Sequence, residues 1–228
     1  MKNAVAVSSE PTKSLGELIS YGKELFGLAD YIHCDVMDQK FVGRDLLNLQ
    51  SIQKLNLHCG ALLDVHLMTP NLKNQYYDYI DAGANILTIH FESFKNKKEF
   101  VRTLCNIKKK HAMAGFSFVP QTDTEQILPY LKYCDVVLVM SVVPGKSGQN
   151  FLQETYKKIK ILDNFRKQNN LNFFIEVDGG VVPEIAKNLF DLGVNIVVSG
   201  SYVYKSQDKK AAIALLKNFD SAKDFENK

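Results

Sequence analysis

The feature that most constrains this chain is a rhythm. Eight short, β-branched, apolar stretches alternate with eight longer segments of helical period across 228 residues. The strand-like stretches fall at 4–8, 29–35, 61–66, 86–91, 115–119, 136–140, 173–178 and 196–199. Helical periodicity fills 14–26, 45–55, 71–82, 95–111, 123–132, 151–169, 183–192 and 209–219. Runs such as Val136-Val137-Leu138-Val139 are apolar without alternation, as strands buried on both faces of a parallel sheet must be. Eight βα units in this length predict a (β/α)₈ barrel, with residues 1–228 as one domain and a polar, frayed tail at 221–228. An open, doubly wound sheet is the competing arrangement. Pro70, Pro120, Pro144 and Pro183 each follow a strand closely, where an X-Pro step suits a turn or a first helical position. Pro129 falls inside the 123–132 segment and predicts a late start or a kink there.

Composition narrows the function classes. The chain is 46% apolar and carries 28 Lys+Arg against 25 Asp+Glu, a formal charge of +3. That balance supports a sizeable core, excludes wholesale disorder, and offers no basic stripe for nucleic acid. The longest apolar run, 136–143, is broken by Ser141 and ends at Pro144; a membrane span needs about 20 residues. The N-terminus lacks the apolar region of a signal peptide. Cys34, Cys59, Cys105 and Cys134 match no zinc or redox spacing, so free thiols in a reducing cytoplasm are expected.

In a barrel, chemistry sits at the C-terminal ends of the strands. The second strand closes with His33-Cys34-Asp35-Val36-Met37-Asp38, the third with Asp64-Val65-His66-Leu67-Met68 and the seventh with Glu176-Val177-Asp178-Gly179-Gly180. His33 and Asp35, two apart, share one face of their strand. Projecting inward at one rim, His33, Asp35, His66 and Asp178 would bring two imidazoles and two carboxylates to one point. That donor set suits one divalent transition metal (Zn, Fe, Mn or Co) better than Ca²⁺ or Mg²⁺. Taken singly, each is more often an ordinary hydrogen-bonded rim residue. Met37, Met68 and Met140 also fall at strand ends, as packing or as an apolar collar around the site. His90 and Glu92 read as second-layer partners or, slightly favoured, as plain rim polar groups, and His58 and His111 as surface histidines. Asp38 either fixes its loop or touches substrate.

Glycines cluster after the last three strands. Gly145-Lys146-Ser147-Gly148 follows the sixth, Gly179-Gly180 the seventh, and Gly200-Ser201 the eighth. Glycines admit close backbone approach, and exposed N–H groups at helix starts hold phosphate. One such pair is ordinary turn chemistry, but three on adjacent loops predict a phosphate site.

These motifs, Pro144-Gly145-x-x-Gly148-Gln149 included, resemble the ribulose-phosphate 3-epimerase family in order and across nearly the whole chain. The resemblance implies a metal-dependent barrel of the ribulose-phosphate-binding type that interconverts D-ribulose 5-phosphate and D-xylulose 5-phosphate. It implies that His33, Asp35, His66 and Asp178 hold the metal, with Asp35 and Asp178 as the two acid/base groups. It also implies a small ketose phosphate as the only partner apart from a homo-oligomer, with Ser8 (or Ser9), His66 and the three glycine loops contacting substrate. The chain departs from the family pattern in several places. Lys146 and Ser147 stand for an aromatic residue and a glycine, Val143 for a polar residue, and Gln39 for a glycine, while the N-terminal Pro-Ser reads Val7-Ser8. These changes surround the sugar phosphate, so a hexulose 6-phosphate is the alternative substrate. A barrel that binds a sugar phosphate without catalysis would have lost a ligand or an acid/base carboxylate, and none is lost. The related orotidine-phosphate decarboxylase type needs Asp-x-Lys-x-x-Asp where this chain has Asp64-Val65-His66.

Overall fold

The computed structural model describes residues 3–9, 14–43, 45–70, 72, 75–145 and 148–218. Eight strands run parallel and close on themselves, each pairing with its sequence neighbours and β1 with β8. They are β1 Ala4–Ser8, β2 Tyr31–Met37, β3 Leu63–Met68, β4 Ala84–His90, β5 Met113–Phe118, β6 Val136–Met140, β7 Phe174–Asp178 and β8 Ile196–Ser199. The barrel replaces the open-sheet alternative outright. Helices α1 Leu15–Leu25, α2 Gln39–Val42, α3 Leu49–Cys59, α4 Tyr76–Asp81, α5 Lys97–Lys109, α6 Thr155–Gln168, α7 Pro183–Asp191, α8 Ser201–Lys205 and α9 Lys209–Lys217 occupy the crossovers and the chain's end. No helix among the described residues is long and apolar enough to cross a membrane. The four cysteines are free thiols, three of them buried.

The period of two divides every strand between two cores. Val5, Val7, Ile32, Cys34, Val65, Leu67, Leu87, Ile89, Val137 and Val139 point outward into the layer shared with the helices. Their neighbours Ala6, Ile86, Val136, Ile196 and Val198 form a separate cluster that fills the lower end of the barrel, against Ala4, Tyr31, Met113 and Phe174. Above that floor the inward positions turn polar: His33, Asp64, Thr88, Ser117 and Glu176 are all fully buried.

Several boundaries differ from those the sequence suggests, each for a local reason. The 45–55 segment becomes α3, four residues later at each end, because Asn48 and Ser51 form a reciprocal capping box and Gly60 stops the helix at φ 65°. The 123–132 segment is not an α-helix but two 3₁₀ turns, Thr124–Gln126 and Leu128–Tyr133, with Pro129 removing an N–H from the second. The short helices α2 and α8, absent from the periodicity, are single turns lying directly after β2 and β8. The tail expected to fray lies outside the described residues.

One cation clamps the lower rim. The Arg166 guanidinium on α6 donates to Asp163 Oδ1 (2.7 Å), Asn195 Oδ1 (2.7 Å) and the carbonyls of Phe173 and Gly193 (2.9 Å each). Asn195 Oδ1 also accepts from Ile175 N–H, so the clamp reaches β7 and the turn before β8. Arg166→Ala is expected to cost roughly 2–4 kcal/mol, because it strips several charge-assisted bonds and leaves Asp163 and two carbonyls short of donors. Urea unfolding monitored by circular dichroism measures the loss, and a change below about 0.5 kcal/mol would contradict the clamp.

Candidate metal centre and active-site cavity

The residues that converge come from strands far apart in sequence. Cα pairing sets His33 of β2 beside Asp64 of β3, and Asp35 beside His66, so two levels of polar residues stack up the inner wall. Met140 of β6 pairs with Asp178 of β7, bringing that carboxylate to the same rim from the far side. One ligand atom each from His33, Asp35, His66 and Asp178 lies within 4.8 Å of the other three. Asp35 Oδ1 is 3.3 Å from His33 Nε2 and 3.2 Å from His66 Nδ1. Those two nitrogens and that oxygen therefore face one point.

The donor set fits a divalent metal on grounds internal to the structure. His33 Nε2 is fully buried with no hydrogen-bond partner, an expensive state unless a ligand takes its lone pair. Below it, His33 Nδ1 makes a short bond to Asp64 Oδ2, the orienting contact that histidine ligands usually have. Two imidazoles with two carboxylates match zinc and its first-row neighbours.

The electrostatics follow from burial. His66 is depressed to about 4, mainly by desolvation and despite its hydrogen bond to Asp35, so its imidazole is neutral. Burial would raise Asp35, but the nearby His33 and the contact with His66 outweigh it and hold the carboxyl well below its usual range. Desolvation lowers His33, yet Asp64 and Asp35 reverse this and push it up. Glu176, fully buried below the cluster near Asp64, is pushed far up by desolvation and by the Asp64 charge, which favours its neutral acid form.

A cavity of about 430 Å³ opens over this cluster. Ser8, Asp35 and Asp178 line it together with Met37, Met68 and Met140, whereas His33 and His66 lie behind that lining. Gly145, Gly148, Gly179, Gly180, Gly200 and Ser201 form its other side. Of the two N-terminal serines, Ser8 faces the cavity, with its Oγ 3.4 Å from Asp35 Oδ2; the Ser9 hydroxyl donates to the His33 carbonyl at 2.9 Å. Gly180 has φ 65°, and a Cβ there would meet Phe151 N at 2.7 Å and Gln149 O at 2.8 Å, so only glycine lets these loops meet. Lys146 and Ser147 lie outside the described residues. Asp38 caps α2 through Lys40 N–H at 2.7 Å, which is the loop-fixing role. His58 and His111 are exposed on the surface.

Sequence reasoning passed over several residues that the structure places at the site. Ser141 Oγ donates to the carbonyls of Asp178 (2.8 Å) and Gly179 (2.6 Å), holding the turn that presents Asp178. Asp64 and Glu176 each precede a residue of the converging cluster by two, so strand period alone places them inward on the level below. His90 and Glu92 are not plain rim groups: His90 is fully buried, with its Nε2 2.9 Å from His66 Nε2.

Comparison with known proteins agrees with this geometry. The sequence model of the ribulose-phosphate 3 epimerase family matches residues 6–204. The ribulose-phosphate 3-epimerase of Synechocystis sp. is 34% identical over 94% of this chain and 92% of its own length. The chloroplastic ribulose-5-phosphate-3-epimerase of Arabidopsis thaliana is 37% identical over 89% of this chain and 71% of its own. Among solved structures, 3-keto-L-gulonate-6-phosphate decarboxylase from Vibrio cholerae superposes with a TM-score of 0.72 over 95% of this chain and 96% of its own, at 10% identity, a likeness of fold alone. A closed parallel barrel, a family match over most of its length and relatives above 30% identity place this chain in the ribulose-phosphate 3-epimerase family, as an isomerase of the epimerase type.

Proposed function

We propose that this chain interconverts D-ribulose 5-phosphate and D-xylulose 5-phosphate, with Asp35 and Asp178 exchanging the C3 proton. The observation that carries this reading is the pairing of two carboxylates from opposite sides of the barrel, β2 and β7, at the floor of one cavity. Inverting a carbon next to a ketone requires removing a proton from one face and returning one to the other. Two opposed groups do this directly, one starting as carboxylate and the other as carboxylic acid. The first takes the C3 proton, and the bonding electrons move into the C2 carbonyl to give a 2,3-enediolate. The second then delivers its proton to the opposite face of C3, and the two aspartates have exchanged roles. His33, Asp35, His66 and Asp178 would hold Zn²⁺, Fe²⁺, Mn²⁺ or Co²⁺. When bound, the cation supplies Lewis-acid stabilisation of the developing oxyanion. Met37, Met68 and Met140 keep water from the reacting carbon, and a dry site strengthens every polar interaction inside it.

The phosphate is held by the glycine loops after β6, β7 and β8, with Ser8 and Ser201 as hydroxyl partners. Backbone N–H groups freed by Gly179, Gly180 and Gly200 supply the donors. Purified protein assayed with both a pentulose 5-phosphate and a hexulose 6-phosphate tests the substrate. Turnover of ribulose 5-phosphate is expected, and its absence would sink the assignment.

Two substitutions test the roles. His66→Ala is expected to lower bound metal from near one equivalent to a small fraction, read by elemental analysis; full occupancy would contradict the ligand assignment. Asp178→Asn should cut epimerisation by about 10²–10⁴-fold while the unfolding midpoint stays close to wild type. In D₂O this variant should still exchange the C3 hydrogen of one epimer but not the other, since one face keeps its base. Near-normal epimerisation would refute the two-carboxylate scheme.

A further inference from the structure

Behind His66 runs a chain of polar groups that the proposed chemistry does not use. His66 Nδ1 faces Asp35 and the ligand point, so its Nε2 faces away. There it meets His90 Nε2 at 2.9 Å, with Ser117 Oγ also 3.1 Å off. The two rings lie 4.9 Å apart at 23° to one another, an edge-to-edge arrangement that suits an N–H···N bond. His90 Nδ1 in turn lies 3.2 Å from Glu92 Oε2. Both imidazoles are fully buried, and the Phe41 ring of α2, 4.8 Å away, packs on His90.

The far end of the chain is an acceptor. Glu92 Oε1 accepts from the backbone N–H of Val119 at 3.1 Å and from the Thr122 hydroxyl. A backbone N–H can only donate, so Glu92 Oε1 is fixed as an acceptor. Burial raises its carboxyl, but hydrogen bonds from His90 and Thr122 more than reverse this and hold it below the usual range. His90 Nδ1 must then carry the hydrogen that Glu92 accepts. Ligation through Nδ1 would leave the His66 hydrogen on Nε2, and His90 Nε2, 2.9 Å away, is a buried ring nitrogen placed to accept it. That acceptor would keep the His66 lone pair on Nδ1, the nitrogen at the ligand point.

We propose that His90 and Glu92 are positioning residues that fix the His66 tautomer so that Nδ1 is presented to the metal, an inference that rests on the ligand role of His66 proposed above. The competing structural role is a tether. Glu92 also ties the end of β4 to residues 119–122, a loop that Lys158 Nζ holds independently through the carbonyls of Pro120 (2.6 Å) and Thr122 (2.9 Å). Tether and relay separate by mutation, because Thr122 bonds Glu92 Oε1 on the loop side, whereas His90 bridges Glu92 Oε2 to His66.

The test titrates Co²⁺ into metal-free wild type and variants and records affinity together with the visible d–d spectrum. His90→Leu removes the acceptor and is expected to weaken Co²⁺ binding roughly 10–100-fold, with a shifted spectrum. His90→Gln offers a carbonyl oxygen near the Nε2 position and should stay within about threefold of wild type. Thr122→Val frees the loop and should leave affinity and spectrum unchanged. Should His90→Leu fail to fold, Glu92→Ala reads the same relay one bond further out and should weaken Co²⁺ several-fold. Wild-type affinity in His90→Leu or Glu92→Ala, or an equal loss in Thr122→Val, would overturn the relay alone. A wild-type chain without affinity for Co²⁺ would overturn the metal centre itself and the relay with it.

Discussion

The structure turns on a layer of ionisable groups sealed inside a closed barrel. His33, Asp64 and Glu176 have no exposure to solvent, and only the apolar floor of Ala6, Ile86, Val136, Ile196 and Val198 lies beneath them. An isolated charge in that place would cost several kcal/mol. The cost is contained in two ways. His33 stands between Asp64 and Asp35, so each carboxylate has an imidazole nitrogen beside it. For Glu176, burial and the neighbouring Asp64 favour the neutral acid, which lowers the penalty. A flexible sheet would open this layer to water, whereas eight strands hydrogen-bonded in a ring hold it shut.

From that layer the upper site follows. Because Asp64 takes His33 from below, the opposite ring nitrogen has one direction left, toward Asp35, His66 and Asp178. His66 is held differently, through a second imidazole and then a carboxylate. The two histidines thus present different nitrogens, Nε2 and Nδ1, to one point, and neither ring can turn without breaking a buried bond. Such pre-set geometry spares a catalytic site the reorganisation that an unsupported ligand set would need.

Much of this was legible in the chain because the barrel repeats one local rule. β1, β6 and β8 match the strands expected from the sequence residue for residue, and all eight strands were found in order. The boundaries that moved did so where side-chain capping or a proline decides them, as at Asn48, Gly60 and Pro129. The roles of Asp64, Glu176, His90 and Glu92 were harder to see because they depend on which residues strand pairing sets side by side. His66 and Ser117 are 51 residues apart and meet only once β3, β4 and β5 are in register. A signal was nonetheless present. His33 and Asp35, Asp64 and His66, Thr88 and His90, and Glu176 and Asp178 are all polar pairs two residues apart at strand ends. In strands otherwise filled with apolar residues, that repeat marks two stacked levels of polar groups on the inner wall.

The charge of the cavity sets a last constraint. Its described lining contains two carboxylates, Asp35 and Asp178, and no lysine or arginine. A sugar phosphate adds further negative charge to a site that already has an excess of it. Backbone N–H groups at the glycine loops can hold a phosphate, but as dipoles they contribute only partial charge. On the proposed reading, a divalent cation held by His33, Asp35, His66 and Asp178 would supply the compensating charge. On that reading the metal and phosphate ends would be coupled through the substrate, with the carboxylates at one end and the glycine loops at the other. The glycines at 179 and 180 belong to the same turn as Asp178, and Ser141 clamps its carbonyls, so one short segment of β7 and its loop carries both functions.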